Sequence, residues 1–252
     1  MSFEGKVVLV TGGTRSIGKE LARAYLAEKA KVAICSRKEE NVNAALEDLD
    51  APEDQLFGMT AHIAKTDQVK ALVAKVKEKF GQIDILINNV GMNLFTPSVS
   101  EAEEGAWRKI IDTNLTGTFL VCKEVIPIMK TLNSGKIVNI SSLAGQKAAP
   151  TMGIYGIAKA GIDMLTRILA MELATFNIQV NSIAPGVVRT AFSEFLWGNE
   201  ELHKQIIDRI PLNRIAEIKD VVHAVLFLSS SKADYITGTT IVLDGGMSVV
   251  LF

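Results

Sequence analysis

Cysteine, proline and aromatic residues are scarce in this 252-residue chain: two cysteines, six prolines, two tryptophans and three tyrosines. Cys35 and Cys122 both lie in apolar stretches, which excludes a disulfide framework and predicts two small buried side chains. A basic excess is also missing. The 27 Lys and Arg stand against 28 Asp and Glu, a formal net charge of -1. That balance offers nothing to neutralise a phosphodiester backbone, so nucleic acid is not an expected partner. Runs such as Ala224–Leu228 and Val249–Phe252 fall far short of the roughly 20 apolar residues that span a bilayer, so no membrane partner is expected either. The start, MSFEGKVVLV, has neither the positive segment nor the apolar core of a secretory signal, and the expectation is a soluble cytoplasmic protein. No Cys, His and Asp spacing fits a metal, and no linker, charge block or repeat divides the chain. One domain over residues 1–252 is expected.

What is present is alternation. Apolar, β-rich runs at Lys6–Val10, Lys31–Ser36, Leu56–Ile63, Ile83–Asn88, Lys136–Ser141, Gln179–Ile183 and Thr240–Leu243 are separated by longer segments. Of these, Ile17–Glu28, Asp67–Phe80, Trp107–Lys130 and Ile154–Phe176 carry apolar residues at helical spacing. Several strands are apolar almost throughout, as strands covered on both faces must be. The reading is an α/β Rossmann fold, a doubly wound parallel sheet of about seven strands with helices on both faces. In such a sheet ligands bind beyond the carboxyl ends of the strands. The chemically useful residues do follow the strands: Gly12–Gly18, Ser36–Arg37, His62–Ile63, Asn88–Gly91, Ser142 and Pro185–Thr190.

The first of these stretches, TGGTRSIG, joins a strand to a helix. Glycines there let backbone N–H groups approach a pyrophosphate at a helix N-terminus, although a glycine-rich turn read alone is equally a tight turn. The second strand ends Ser36-Arg37-Lys38, with no acid to accept from a ribose 2′-hydroxyl. Arg15 converging with Arg37 and the Ser36 hydroxyl suits a 2′-phosphate, so NADP(H) is the preferred cofactor and NAD(H) a possible one. Downstream, Tyr155 and Lys159 stand four apart on a helix and share a face. A phenol with an ordinary pKa of roughly 10 needs a neighbouring cation to serve as a base at neutral pH.

Taken together, Thr11-Gly12-x3-Ser16-Ile17-Gly18, Asn88-Asn89-Val90-Gly91, Asn114, Ser142, Tyr155-x3-Lys159, Pro185-Gly186 and Asp244-Gly245-Gly246 resemble the short-chain dehydrogenase/reductase family in order and spacing over nearly the whole chain. The resemblance implies an oxidoreductase that interconverts a ketone or aldehyde and an alcohol by hydride transfer. It implies Tyr155 as general acid and base and Lys159 as the group that bonds the nicotinamide ribose and lowers the tyrosine pKa. Ser142 would donate to the substrate oxygen, and Asn114 would hold a relay water. Gly12, Thr14, Arg15, Ser16, Ile17, Gly18, Ser36, Arg37, His62, Ile63, Asn89, Gly91, Tyr155, Lys159, Pro185, Gly186, Val188 and Thr190 are the implied cofactor contacts. A homotetramer is implied through Trp107–Lys130 and Ile154–Phe176.

Three residues depart from the family pattern: Ser16 for a glycine, Val90 for an alanine, and His62 where an aspartate meets the adenine. Ser36-Arg37 and His62 make the chain similar to the NADP-dependent carbonyl reductase/retinol dehydrogenase branch. Residues 190–212 correspond to the family's mobile substrate lid. Phe192, Phe195, Leu196 and Trp197 would line it for a bulky or cyclic ketone, or would pack into the core or a subunit contact. Two rivals stand beside the carbonyl reductase: a 3-oxoacyl-thioester reductase of the same family, and a non-catalytic dinucleotide sensor on the same fold.

Overall fold

The structure, a computed structural model, describes residues 2–250; Met1, Leu251 and Phe252, at the limits of the expected domain, lie outside the described residues. Seven strands form one sheet: β1 Val7–Thr11, β2 Lys31–Ser36, β3 Leu56–Thr60, β4 Ile85–Asn88, β5 Gly135–Ile140, β6 Ile178–Pro185 and β7 Thr240–Leu243. Their order is β3-β2-β1-β4-β5-β6-β7 and every pairing is parallel. This is the expected doubly wound sheet, with the order reversing between β1 and β4.

The apolar strands are explained by period-2 alternation between two cores. Val8, Val10, Val32, Ile34, Ile85 and Ile87 point to one face, where α1 (Ser16–Ala27), α2 (Glu39–Leu49) and α9 (Ile218–Ser229) add Leu21, Tyr25, Ala45 and Val225. Val7, Leu9, Ala33, Cys35 and Leu86 point to the other. There α3 (Thr66–Phe80), α5 (Gly117–Leu132) and α6 (Gly153–Leu173) supply Leu72, Val76, Val125 and Leu173. Both cysteines are buried and free, as expected. The helices stop where the chain turns left-handed: α2 at Asp50, α3 at Gly81 and α5 at Asn133.

The expected helix Trp107–Lys130 is not continuous. It comprises α4 (Glu104–Ile111), a π-helical turn at Asp112–Thr116, and α5. Asn114 sits in the π turn, and the Thr118 hydroxyl donates to its carbonyl oxygen at 2.7 Å. Such a turn rotates the following residues relative to a regular helix and is frequent at functional sites. After β6 come two short helices, α7 (Glu194–Trp197) and α8 (Glu200–Ile207). No described helix is long and apolar enough to cross a membrane.

Candidate active site

The carboxyl ends of β1 and β4 are tied together before any ligand is considered. Thr11 pairs with Asn88 across the sheet. Its hydroxyl donates to the Ile87 carbonyl at 3.3 Å and accepts from the Asn89 N–H at 3.0 Å. The Asn89 side-chain amide donates to the Thr11 and Gly12 carbonyls at 3.1 and 3.2 Å, clamping the first loop from the neighbouring strand. Gly12 turns with φ +65°, and Gly18 packs so closely that a Cβ there would run into the Gly12 carbonyl and the Asn89 amide. Ser16 is left-handed as well, at φ +51°, the conformation a glycine would adopt without strain.

This loop fits a pyrophosphate cradle, because its glycines are held to a bend that leaves no room for side chains. Arg15 in this loop and Arg37 after β2 are exposed, and neither side chain takes part in an ion pair or hydrogen bond among the described residues. Glu39 and Glu40 open α2 just beyond and do not pair with Arg37. Ala61 continues the ladder by donating to Ser36 at 2.8 Å, which carries His62 and Ile63 to the same rim.

The Tyr155, Lys159 and Ser142 side chains meet at the ends of β4, β5 and α6. Ser142 is extended two residues beyond β5, and its hydroxyl accepts from the Ala144 N–H at 3.2 Å. Lys159 is 2% exposed; its Nζ donates to the Ile140 carbonyl at 2.7 Å and lies 5.5 Å from the Tyr155 ring centre. Burial pushes the Tyr155 phenol up to about 12, opposed by the Ser142 hydroxyl. Burial also brings the Lys159 ammonium down to about 8, opposed by the charge of Asp163 one turn further along α6. At neutral pH the pair is therefore a protonated phenol beside an ammonium.

Asn114 is fully buried, and its side chain is largely committed. Its amide donates to the Met92 and Ile110 carbonyls, both at 2.8 Å, and its Oδ1 accepts from the Met92 N–H at 3.1 Å. It thereby fixes the strand-like segment after β4 against the π turn, with Gly91 directly beside Lys159 Nζ and Asn114 Oδ1.

Pro185 ends β6, and Gly186 packs on the Asp244 backbone at the end of β7, its N–H donating to Leu243 at 2.9 Å. Val188 is buried and bridges Ala216, while Thr190 and Ser193 close a capping box that starts the lid. The four expected lid residues divide. Phe192 and Phe195 are exposed, and the Phe192 ring sits 5.8 Å from the Tyr155 ring. Leu196 and Trp197 instead pack on Ile206, Ile210 and Ile215. The Trp197 indole N–H bonds the Thr190 carbonyl and the Ser193 hydroxyl at 3.3 and 3.2 Å, which turns the ring inward.

Sequence reasoning missed a polar ladder behind the site. The Asn88 amide donates to Asn139 Oδ1, and the Asn139 amide donates to Thr166 Oγ1, both at 2.9 Å, linking β4, β5 and α6. Polar residues at matching depth in successive apolar strands were the signal. Phe95, exposed after β4, was missed also. No group of three or more His, Cys, Asp or Glu among the described residues could hold a metal.

The chain resembles known proteins over nearly its whole length. A family model described as "Enoyl-(Acyl carrier protein) reductase" matches residues 12–248. The chain is 39% identical to "Dehydrogenase/reductase SDR family member 4" of Caenorhabditis elegans, over 99% of this chain and 97% of that one. It is 37% identical to the protein of the same name from Bos taurus, over 97% of this chain and 88% of that one. The crystal structure of a levodione reductase superposes with a TM-score of 0.93 at 30% identity, covering 98% of this chain and 99% of that chain. Matched by the family model over residues 12–248 and by relatives 37–39% identical over nearly its whole length, the chain belongs to the short-chain dehydrogenase/reductase family, oxidoreductases that work with a nicotinamide dinucleotide.

Proposed function

We propose that the protein is an NADP(H)-dependent carbonyl reductase acting on apolar ketones or aldehydes, reversible as an alcohol dehydrogenase, with Tyr155 as acid and base. The observation that carries the reading is the buried Tyr155 phenol with the Ser142 hydroxyl as its hydrogen-bond partner and the Lys159 Nζ 5.5 Å from its ring centre. When bound, the dinucleotide supplies or accepts the hydride.

In the reducing direction Tyr155 donates its proton to the substrate oxygen as that oxygen becomes alkoxide-like. A phenol near 12 is still far more acidic than an alcohol, so the transfer runs downhill. Ser142 donates to the same oxygen, where negative charge grows. Lys159 stays mainly charged at pH 7 and stabilises the phenolate left behind. In the oxidising direction the phenol must come down from about 12 before it can accept a proton, and the positive charge of an oxidised nicotinamide would add to that of the Lys159 ammonium. Asn114 positions the Gly91–Met92 segment; one lone pair of its Oδ1 remains for the relay water.

Arg15 in the loop after β1 and Arg37 after β2, whose guanidiniums have no partner among the described residues, support a 2′-phosphate. Phe192 over Tyr155, with Phe95 and Phe195 exposed nearby in the chain segments that flank the site, supports an apolar substrate. Ile157, Met164, Ile168 and Met171 form an exposed apolar face on α6, which supports pairing of that helix between subunits in a homotetramer.

The test is NADPH oxidation against cyclic ketones, quinones, 1,2-diketones and 3-oxoacyl thioesters. A preference for the thioesters would favour the acyl-thioester reading, and no turnover of any would favour the sensor. Tyr155→Phe should lower kcat by roughly 10²–10⁴ while NADPH binding survives; near-normal turnover would overturn the mechanism.

A further inference from the structure

Lys159 and Asp163 stand four residues apart on α6, so they share one face of that helix, and both are buried, at 2% and 4% exposure. Helical side chains lean towards the N-terminus, which inclines the Asp163 carboxylate towards the turn of Lys159. The hydroxyl of Ser182, on β6, donates to Asp163 Oδ1 at 3.2 Å and is the only hydrogen-bond partner of that carboxylate among the described residues. The pocket that Asp163 lines with Gln146, Arg167, Thr239 and Thr240 contains none of the catalytic residues, and it lets solvent reach the second carboxylate oxygen. Arg167, one turn further along α6, is exposed and forms no ion pair with Asp163.

The elements packed around Lys159 bring it no other charge. β6, the Leu143–Gly145 turn and the Gly91–Met92 segment carry no ionisable side chain. β5 carries only Lys136, near its opposite end and paired with Asp234. Asp112 of the π turn is exposed and accepts from the Thr116 hydroxyl at 3.3 Å, and α4 turns Glu104, Arg108 and Lys109 to solvent. Asp244, after β7, is bonded to the Gly246 and Ser248 N–H groups. The titratable groups left to face Lys159 are the Tyr155 phenol, uncharged at neutral pH, and Asp163, whose charge opposes the loss of the lysine proton that burial favours. A neutral amine could not stabilise a phenolate, so the proposed chemistry depends on that proton.

We propose that Asp163 is a positioning residue of the reaction: the counter-charge that keeps Lys159 an ammonium beside Tyr155, held in place by the Ser182 hydroxyl and acting only through Lys159. The inference rests on the role given to Lys159 above.

The experiment is a double-mutant cycle: urea unfolding of the wild type, Asp163→Asn, Lys159→Met and the double variant at pH 7 and 9.5, at one fixed protein concentration. Loss of the Ser182 bond alone weakens the fold equally at both pH values, because that hydroxyl does not titrate there. Loss of a counter-charge weakens it most at pH 7, where Lys159 is charged, and fades by pH 9.5, where the folded amine is neutral. Asp163→Asn should therefore lower the folding equilibrium constant at least about threefold more at pH 7 than at pH 9.5, and the difference should vanish in the Lys159→Met background. An equal loss at both pH values, or a difference that persists without Lys159, would overturn the inference and leave the Lys159 reading standing. If Asp163→Asn does not fold, Asp163→Ala, which only widens an open pocket, takes its place in the cycle. In NADPH-dependent reduction the alkaline limb of kcat/KM should move down by about half a pH unit or more in Asp163→Asn and return in Asp163→Glu; a limb that stays in place would also overturn the inference. Absence of turnover in the wild type would instead overturn the role given to Lys159, while the unfolding cycle still decides whether Asp163 holds its charge.

Discussion

Replacing Lys159 by Met should stabilise the unliganded protein while removing its activity. In the fold the ammonium is 2% exposed, and burial lowers its pKa from 10.5 to about 8. Because the folded value lies below the unfolded one, the folded state releases its proton first as pH rises. Below about pH 8 both states are protonated and the full cost of the buried charge is present. Between about 8 and 10.5 that cost disappears, and stability climbs with pH. The drop corresponds to about 3 kcal/mol at pH 7 and about 1 kcal/mol at pH 9.5.

Met fills similar space without the charge, but it leaves the Ile140 carbonyl without the Lys159 donor, a loss of about 1 kcal/mol. The net expectation is a gain of about 2 kcal/mol at pH 7, falling to about zero at pH 9.5. Against a total stability of roughly 5–15 kcal/mol this is measurable by urea unfolding at the two pH values and one fixed protein concentration. A variant less stable than wild type at pH 7, or a difference that does not change with pH, would show that burial does not set the state of Lys159. The expected result is the signature of a residue kept for chemistry at a cost to the fold.

Two further substitutions address the cofactor rim. Ser16→Gly relieves a left-handed serine worth roughly 1–2 kcal/mol of strain, partly offset by the greater freedom of glycine in the unfolded chain. It should raise Tm by about 1–3 °C and change cofactor affinity less than about tenfold; a fall in Tm measured by calorimetry would mean that the serine makes a stabilising contact. Arg37→Asp should weaken NADP binding roughly ten- to hundredfold by removing a charge-assisted bond and shift preference towards NAD, and unchanged dissociation constants for both would remove Arg37 from the phosphate site.

The sheet was legible because parallel pairing converts sequence order into spatial position. Each apolar run had to end on the same edge, so Gly12, Ser36, His62, Asn89, Ser142 and Pro185 could be assigned to one rim from the sequence alone. The register bears this out where Thr11 meets Asn88 and Asn88 meets Asn139. Backbone geometry that depends on a partner was not legible. Periodicity runs through Trp107–Lys130 without a break, yet the π turn at Asp112–Thr116 sets Asn114 against Met92 and gives the Asn114 carbonyl the Thr118 hydroxyl. Nor does the identity of Ser16 reveal its positive φ.

The lid shows why substrate choice is harder to read than mechanism. Phe192, Phe195, Leu196 and Trp197 form one aromatic and aliphatic cluster in the sequence, but a single hydrogen-bonded turn divides them. The Trp197 N–H is drawn to Thr190 and Ser193, which rotates the indole into the packing of Ile206 and Ile210 and leaves Phe192 over Tyr155. Proton transfer requires particular residue types, so its residues declare themselves by identity. An apolar wall requires only surface, and any of the four could have supplied it. Which of them stay exposed depends on where the indole N–H finds its acceptors, so the capping turn at Thr190–Ser193 bears on the proposed substrate wall as much as the phenylalanines Phe192 and Phe195 do.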